Sequence, residues 1–523
     1  MNTMQATRRP SFVVFMTDQH QARMLGCAGD PLVLTPNIDA MASGGTRFDR
    51  FYVASPSCMP NRAAIFTSRY PSVNGVRVNG IPLPSDSMTF VELMRKDGYK
   101  TALIGKAHLQ PILEPQDSVR NSLDHHRVEA RKAGDDRWWR QELAGNGQWL
   151  APPYYGFDHV DLVTGHGDQC GGHYASWLRS RLPDFKQYIG PANQLPHGYV
   201  CPQAIRSRLP EELYPTSYIA DRAQAFLRDH AARSPDQPFL LVVSFPDPHH
   251  PFSPPGKYWD MYDPEDVTLN VNFDAGDAPA PHLRAAIAER AHGLSKLGGY
   301  GAVRLRHQEA REAIALTCGM ISHIDDAIGL VRVQLEASGL ADRAVQIFTS
   351  DHGDLLGDHG LMLKGPLHYQ SLIKVACIVN DPRIASQVPK SDALCSSVDL
   401  GVSILEMAEV DAHHGVQGIS LLPCLVDGSH ARDALLIEDE YQSPVLCFDQ
   451  APRLRTLVTA RYRLTVFADV EWGELYDLQA DPGEVCNLWS DANQAQVRAE
   501  LMQVLTRELI RLADRSPRPR SLA

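Results

Sequence analysis

The chain has 523 residues, 44% hydrophobic and 21% charged, enough for a large domain with a smaller one beside it. Its 62 acidic and 50 basic residues give a formal charge of -12, which argues against a nucleic-acid partner, so any anion site has to be local. No run approaches the roughly 20 apolar residues that span a bilayer, which argues against a membrane partner.

In chain order, Phe12-Val13-Val14-Phe15-Met16 comes first. It is too short for an export signal and ends at Asp18 without a small-residue cleavage site. It reads as a buried strand, and the protein as cytoplasmic. The ten cysteines are scattered with no CxxC pair, so they read as buried thiols rather than disulfides. Thr89 to Lys96 reads as a helix and Thr101 to Ile104 as a second buried strand. From Gln110 to Leu213 the pattern breaks into a segment rich in Trp, His, Gly and Pro, including Trp138, Trp139, Trp149, Tyr154, Tyr155, His166 and His173. It reads as an ordered lid of long loops and short helices over one end of the sheet. Trp138, Trp139, Tyr154 and Tyr155 fit an aromatic wall or core packing equally well.

Tyr218 to Arg228 is again helical, Phe239 to Val243 is a third strand, Ala310 to Glu336 a long helix, and Val345 to Phe348 a fourth strand. A helix over Leu400 to Glu409 precedes a change of style near residue 430. Short strands at Arg455–Val458, Tyr462–Val466 and Gly473–Leu478 come next, then a helix over Gln494 to Ala513. The alternation predicts an α/β fold with a central, mostly parallel sheet flanked by helices over residues 1–430, with the lid at 110–213. A smaller antiparallel sheet with a packed helix is expected over residues 431–523.

The strand ends are more informative than the strands. The four strands end in Thr17-Asp18-Gln19, Gly105-Lys106-Ala107-His108, Pro246-Asp247-Pro248-His249-His250 and Ser350-Asp351-His352-Gly353-Asp354. Open α/β sheets bind ligands beyond the carboxyl ends of their strands, so these residues are delivered to one edge. Asp18, Gln19, Asp351 and His352 suit one divalent metal ion. Their oxygens fit Ca²⁺, Mg²⁺ or Mn²⁺, and the imidazole favours Mn²⁺ over Mg²⁺. The lack of a second ligating His or a thiolate cluster argues against structural zinc. Asp354 reads as a cap. In Pro56-Ser57-Cys58-Met59-Pro60-Asn61-Arg62-Ala63, the proline favours a first helical turn, placing Cys58 at a helix N-terminus that favours an anion. Arg62 stands four residues on, on the same face.

This stretch resembles the sulfatase signature C-x-P-S-R-x-x-x-L-T-G-R, whose cysteine is oxidised to Cα-formylglycine. Cys58, Pro60, Arg62, Thr67 and Arg69 match it, while Asn61, Phe66 and Ser68 depart from it. Its companions stand in family order: Asp18-Gln19, Lys106-Ala107-His108, Pro248-His249-His250-Pro251-Phe252, Asp351-His352-Gly353, and His359 through Lys364-Gly365. Leu475-Tyr476-Asp477-Leu478 through Asn487-Leu488 resembles the family's C-terminal tail. Gln19 beside Asp18, together with Asp351-His352 and Asn79, resembles the choline sulfatase and phosphonate monoester hydrolase branch of this alkaline phosphatase superfamily.

The resemblance implies an alkaline-phosphatase-like fold that hydrolyses sulfate monoesters. The nucleophile is then a formylglycine diol at position 58, held on Ca²⁺ or Mn²⁺ and passing through a covalent sulfate hemiester. By the same resemblance Arg62, Lys106 and Lys364 hold the anionic oxygens, and His249 protonates the leaving oxygen. His108 takes the proton that releases the hemiester. His250 and Asn79 line the substrate pocket, and His359 is structural. The implied partners are a small anionic ester and a formylglycine-generating enzyme, while the sequence leaves open whether a homo-oligomer forms. Phosphonate or phosphodiester hydrolysis on the same fold is the alternative. An anion-binding protein with unmodified Cys58 is the non-enzymatic one.

Overall fold

A computed structural model describes residues 9–111, 152–274, 280–291, 302–429 and 432–521. In chain order its strands are β1 (Ser11–Thr17), β2 (Thr46–Phe48), β3 (Phe51–Tyr52), β4 (Lys100–Gly105), β5 (His159–Thr164), β6 (Gly171–Gly172), β7 (Phe239–Ser244), β8 (Val303–Arg304) and β9 (Ala344–Ser350). Then come β10 (Leu361–Met362), β11 (Cys377–Asn380), β12 (Lys390–Ser391), β13 (Cys395–Ser396), β14 (Ala434–Glu440), β15 (Arg453–Thr459), β16 (Tyr462–Phe467) and β17 (Gly473–Asp477).

The central sheet has nine strands in the order β12-β2-β11-β9-β1-β7-β4-β5-β6. The five strands β9, β1, β7, β4 and β5 run parallel. β11 is antiparallel to both its neighbours, and β6 is antiparallel to β5. The apolar runs are continuous rather than alternating because both faces are covered. Phe12, Val14 and Met16 of β1 pack with the helices Cys58–Thr67, Phe90–Lys96 and Asp399–Met407. Val13 and Phe15 point the other way, into the helices Pro36–Ser43, Pro215–Arg233 and His307–Ala337. Each such side chain contributes about 1.5–3 kcal/mol of burial, which fixes the register of the central strands. The His307–Ala337 helix is long and apolar enough to cross a membrane by length and composition, yet 78% of its most apolar window is buried inside the protein. It is a core helix.

The segment read as a lid is described only in part. Residues 112–151, with Trp138, Trp139 and Trp149, lie outside the described residues. Further on, β5 and β6 extend the central sheet rather than lying over its end. The strand was hidden because β5 carries polar residues near the sheet edge, among them Asp161, which pairs with Arg222 of the Pro215–Arg233 helix at 2.9 Å. Tyr155 is buried in the core and meets Tyr154 edge to face at 4.8 Å, so this pair packs the core and is no substrate wall.

The second sheet, β14-β15-β16-β17, is antiparallel throughout. Together with the helix Ala495–Arg511 it shares a core with Ala54, Ala64 and Tyr70, which flank or belong to the Cys58–Thr67 helix. All ten cysteines are free, most of them buried.

One backbone approach matters to the site. Gly105, the last residue of β4, has φ +110, and a Cβ there would stand 1.8 Å from the carbonyl oxygen of Ser244. Only glycine fits, and Lys106 comes next. Gly105→Ala should therefore cost more than about 2 kcal/mol in denaturant unfolding and misplace Lys106. A variant as stable as the parent would show that the β4–β7 approach is relaxed.

Candidate active site

The strand registers bring four chain segments to one rim. Met16 of β1 pairs with Ser244 of β7, Ser244 with Gly105 of β4, and Thr17 with Ser350 of β9. Asp18, Lys106, Phe245 and Asp351 therefore leave the sheet side by side. Backbone bonds carry the pairing past the strand ends: Asp351 N–H donates to Thr17 O at 3.1 Å, Asp18 N–H to Asp247 O at 3.1 Å and Lys106 N–H to Ser244 O at 2.8 Å.

Four candidate ligands converge there. One oxygen each from Asp18 and Asp351, a ring nitrogen of His352 and Cys58 Sγ all lie within 4.8 Å of one another, and all four residues are buried. His352 Nδ1 lies 2.8 Å from Gly353 O, to which it donates, so Nε2 presents its lone pair to the group. Nε2 stands 3.0 Å from Cys58 Sγ, 3.6 Å from Asp18 and 3.7 Å from Asp351. Two carboxylates and an oriented imidazole are a fitting donor set for a divalent ion. Gln19 stands at the edge of this group: its Oε1 accepts from Lys364 at 3.2 Å, and its backbone N–H donates to Asp351 at 3.2 Å. Its φ is +61, a conformation that costs energy in a non-glycine residue.

Buried cations hold these acids. Arg62 Nε donates to Asp351 Oδ2 at 2.7 Å, and its Nη1 donates to Lys106 O at 2.8 Å and Ser244 Oγ at 2.9 Å. Its Nη2 has no hydrogen-bond partner among the described residues and lies 3.7 Å from Asp18. Arg62 is thus spent mainly on protein groups. Lys106 Nζ pairs with Asp18 Oδ2. Burial alone would raise the Asp18 pKa, but Lys106, His249, His166 and Arg62 hold it well below the usual carboxylate range.

Cys58 opens its helix, with Ser57 as the N-cap. Its Sγ lies 3.1 Å from Lys364 Nζ. Burial and Asp18 push the thiol up, yet Lys364, His352 and Lys106 outweigh them and lower its pKa. Asn79 Oδ1 accepts the N–H of Met59 at 3.0 Å, so this side chain caps the helix turn that presents Cys58. Asp354 accepts the N–H groups of Leu356 and Leu363, each at 2.7 Å, a cap that fixes the turn leading to Lys364.

Three imidazoles form one wall. His249 stacks on His166 at 3.6 Å and on His250 at 4.1 Å between ring centroids. His249 Nδ1 donates to His250 O at 2.6 Å, and its Nε2 lies 3.5 Å from Lys364 Nζ. Burial, then His166 and His250, push the His249 pKa well below the usual imidazole range. His108 has φ +51, and its buried Nδ1 has no partner among the described residues. Burial, Lys106 and Arg62 lower its pKa strongly. His359 stacks on Tyr369 at 3.8 Å, a packing role.

Sequence reasoning assigned His166 no role, yet its Nε2 lies 2.6 Å from Lys106 Nζ and 3.7 Å from Asp18. It sits between Gly165 (φ +75) and Gly167 (φ +58), a kink that swings it from β5 to the rim. The Gly-His-Gly triplet was the available signal.

The clamp on Asp351 yields a test. Arg62→Leu leaves a buried carboxylate without its cation, so metal-free protein should lose about 3–5 kcal/mol in denaturant unfolding. A loss under about 1 kcal/mol would mean that Asp351 is not held by Arg62.

Known proteins resemble this chain over nearly its whole length. The sulfatase family profile matches residues 10–410, and the profile of the N-sulphoglucosamine sulphohydrolase C-terminal region matches residues 357–511. An arylsulfatase of Clostridium perfringens is 26% identical, over 96% of this chain and 94% of its own. A choline-sulfatase of Rhizobium meliloti is 25% identical, over 92% of this chain and 83% of its own. The crystal structure of a phosphonate monoester hydrolase of Agrobacterium radiobacter superposes with a TM-score of 0.76 at 23% identity, covering 98% of this chain and 100% of that one. The chain belongs to the sulfatase family of the alkaline phosphatase superfamily, enzymes that hydrolyse sulfuric esters.

Proposed function

We propose that this enzyme hydrolyses sulfate monoesters with residue 58 converted to Cα-formylglycine, beside a divalent ion held by Asp18, Asp351 and His352. The observation that carries the reading is the meeting of residue 58 with that donor set and with Lys364, 3.1 Å from its Sγ. A bound divalent ion would lower the pKa of a hydroxyl on residue 58 and withdraw charge from a sulfate oxygen.

The chain's own residues do the rest. The helix N-terminus and Lys364 draw the anionic group toward position 58. Lys106, steered by His166, opposes negative charge on the equatorial oxygens. Arg62 acts at one remove, keeping Asp351 in place. His249 faces the leaving alcohol with Nε2. Because Nδ1–H is engaged with His250 O, Nε2 carries a transferable proton only as imidazolium. A bound sulfate ester supplies the negative charge that favours this form. His108 stands on the Lys106 side, suited to take a proton from residue 58 in the second half of the cycle. Asn79 keeps the helix turn in register.

A second reading, phosphonate monoester or phosphodiester hydrolysis, is favoured by Gln19 beside Asp18, combined with His352 after Asp351 and with Asn79. Lys106 and His108 favour sulfate, since a terminal sulfate has no second ester arm to accommodate.

Mass analysis of the peptide bearing residue 58 should show the aldehyde in active protein, and an unmodified thiol there would sink the nucleophile. In a parallel substrate panel, sulfate monoesters should give the highest kcat/KM; a phosphonate monoester or phosphodiester in first place would install the second reading. His249→Ala should lower kcat by about 10²–10⁴-fold, more steeply the poorer the leaving alcohol. A loss independent of the leaving group would remove His249 from the acid role.

A further inference from the structure

As translated, the chain carries a thiol at position 58, and its sulfur and the three ligand atoms around it have a definite spacing. Cys58 Sγ lies 3.0 Å from His352 Nε2 and 3.8 Å from Asp18 Oδ1. His352 Nε2 lies 3.6 Å from Asp18 Oδ1 and 3.7 Å from Asp351 Oδ1. A tetrahedral ion with bonds of about 2.0–2.3 Å has ligand-to-ligand edges of about 3.3–3.8 Å. Three of these distances lie in that range, and the sulfur–nitrogen one is shorter.

Outer partners fix each protein ligand. Lys106 holds the second oxygen of Asp18, Arg62 Nε holds that of Asp351 at 2.7 Å, and the Gly353 carbonyl orients His352 at 2.8 Å. Lys364 Nζ stands 3.1 Å from the sulfur and also from His352 Nε2. Three cations therefore face these ligands. A thiolate adds a third anion to the two carboxylates, so the group offers a divalent ion one more negative charge than it would with a neutral hydroxyl at position 58.

We propose that, while residue 58 is still cysteine, Cys58, Asp18, Asp351 and His352 form a four-coordinate site for a zinc-type divalent ion. This rests on the metal-binding half of the proposed function and not on turnover. Sulfur is a ligand that zinc and cobalt accept and that calcium and magnesium decline. On binding, the S–H bond breaks, its proton leaves to solvent and a sulfur–metal bond forms, with no change of oxidation state. A chain with formylglycine at position 58 has no sulfur there and offers only oxygen and nitrogen donors. The two forms of the chain thus differ in ion preference, the cysteine form taking the softer ion.

The test uses full-length protein whose residue-58 peptide has the mass of cysteine, stripped by a chelator and titrated with Co²⁺. An equimolar amount should produce a sulfur-to-cobalt charge-transfer band in the near ultraviolet and intense visible bands of tetrahedral cobalt. Equimolar Zn²⁺ should bleach them, and about a thousandfold excess of Ca²⁺ should not. Cys58→Ser, checked for fold by circular dichroism, should lack the charge-transfer band. The converted chain, which keeps every other ligand, is the second control and should lack it too. No band, a band that survives in both controls, or displacement by Ca²⁺ as readily as by Zn²⁺ would overturn the proposal. Sulfatase turnover measured on converted protein separates the readings. Turnover without a cobalt band in the unconverted form defeats this inference alone, and a band without turnover defeats the proposed function alone.

Discussion

Two carboxylates buried side by side are the constraint around which this molecule is organised. Asp18 and Asp351 are fully removed from solvent, and burying a charge is costly unless an opposite charge compensates it. The compensation comes from cations that are themselves buried: Arg62 against Asp351, and Lys106 against Asp18. A buried ion cluster of this kind adds little to stability and fixes geometry instead. The parallel pairing of β1 with β9 sets the distance between the acids, and the pairing of β4 with β7 brings the lysine.

The second sheet belongs to the same design. β14 runs past the segment that carries residue 58: Glu438 N–H donates to Ala54 O at 2.8 Å, and its carboxylate receives Ser72 N–H and Oγ–H, each at 2.8 Å. Asp439 lies 3.4 Å from the Oγ of Ser57, the residue before Cys58. The small sheet therefore buttresses the helix whose first residue belongs to the candidate metal-ligand group. Two departures from ordinary backbone geometry stand at the rim, with positive φ at Gln19 and His108. They are the local cost of turning side chains inward from strand ends.

Much of this was legible in the chain. The runs at Phe12, Thr101, Phe239 and Val345 read as strands because both faces of the sheet are buried and the apolar signal is unbroken. Their polar endings read as a site because a parallel sheet collects its strand ends at one rim. Pro60 marked the helix start at Cys58. The features that stayed hidden depend on contacts between segments far apart. β5 lacks an unbroken apolar run because Asp161 is matched by Arg222. His166 reaches the site through a glycine-flanked kink that no periodicity announces. The direction of the Arg62 guanidinium, toward protein groups more than toward open space, is set by the ends of β9, β4 and β7 and by nothing local to the helix.

The claim beneath all of this is that one divalent ion and residue 58 share a single cage. Anomalous diffraction from crystals grown with Mn²⁺ tests it most directly. The account predicts one strong peak within bonding distance of Asp18, Asp351, His352 and residue 58. A crystal saturated with Mn²⁺ whose peaks all lie away from those four residues would contradict it.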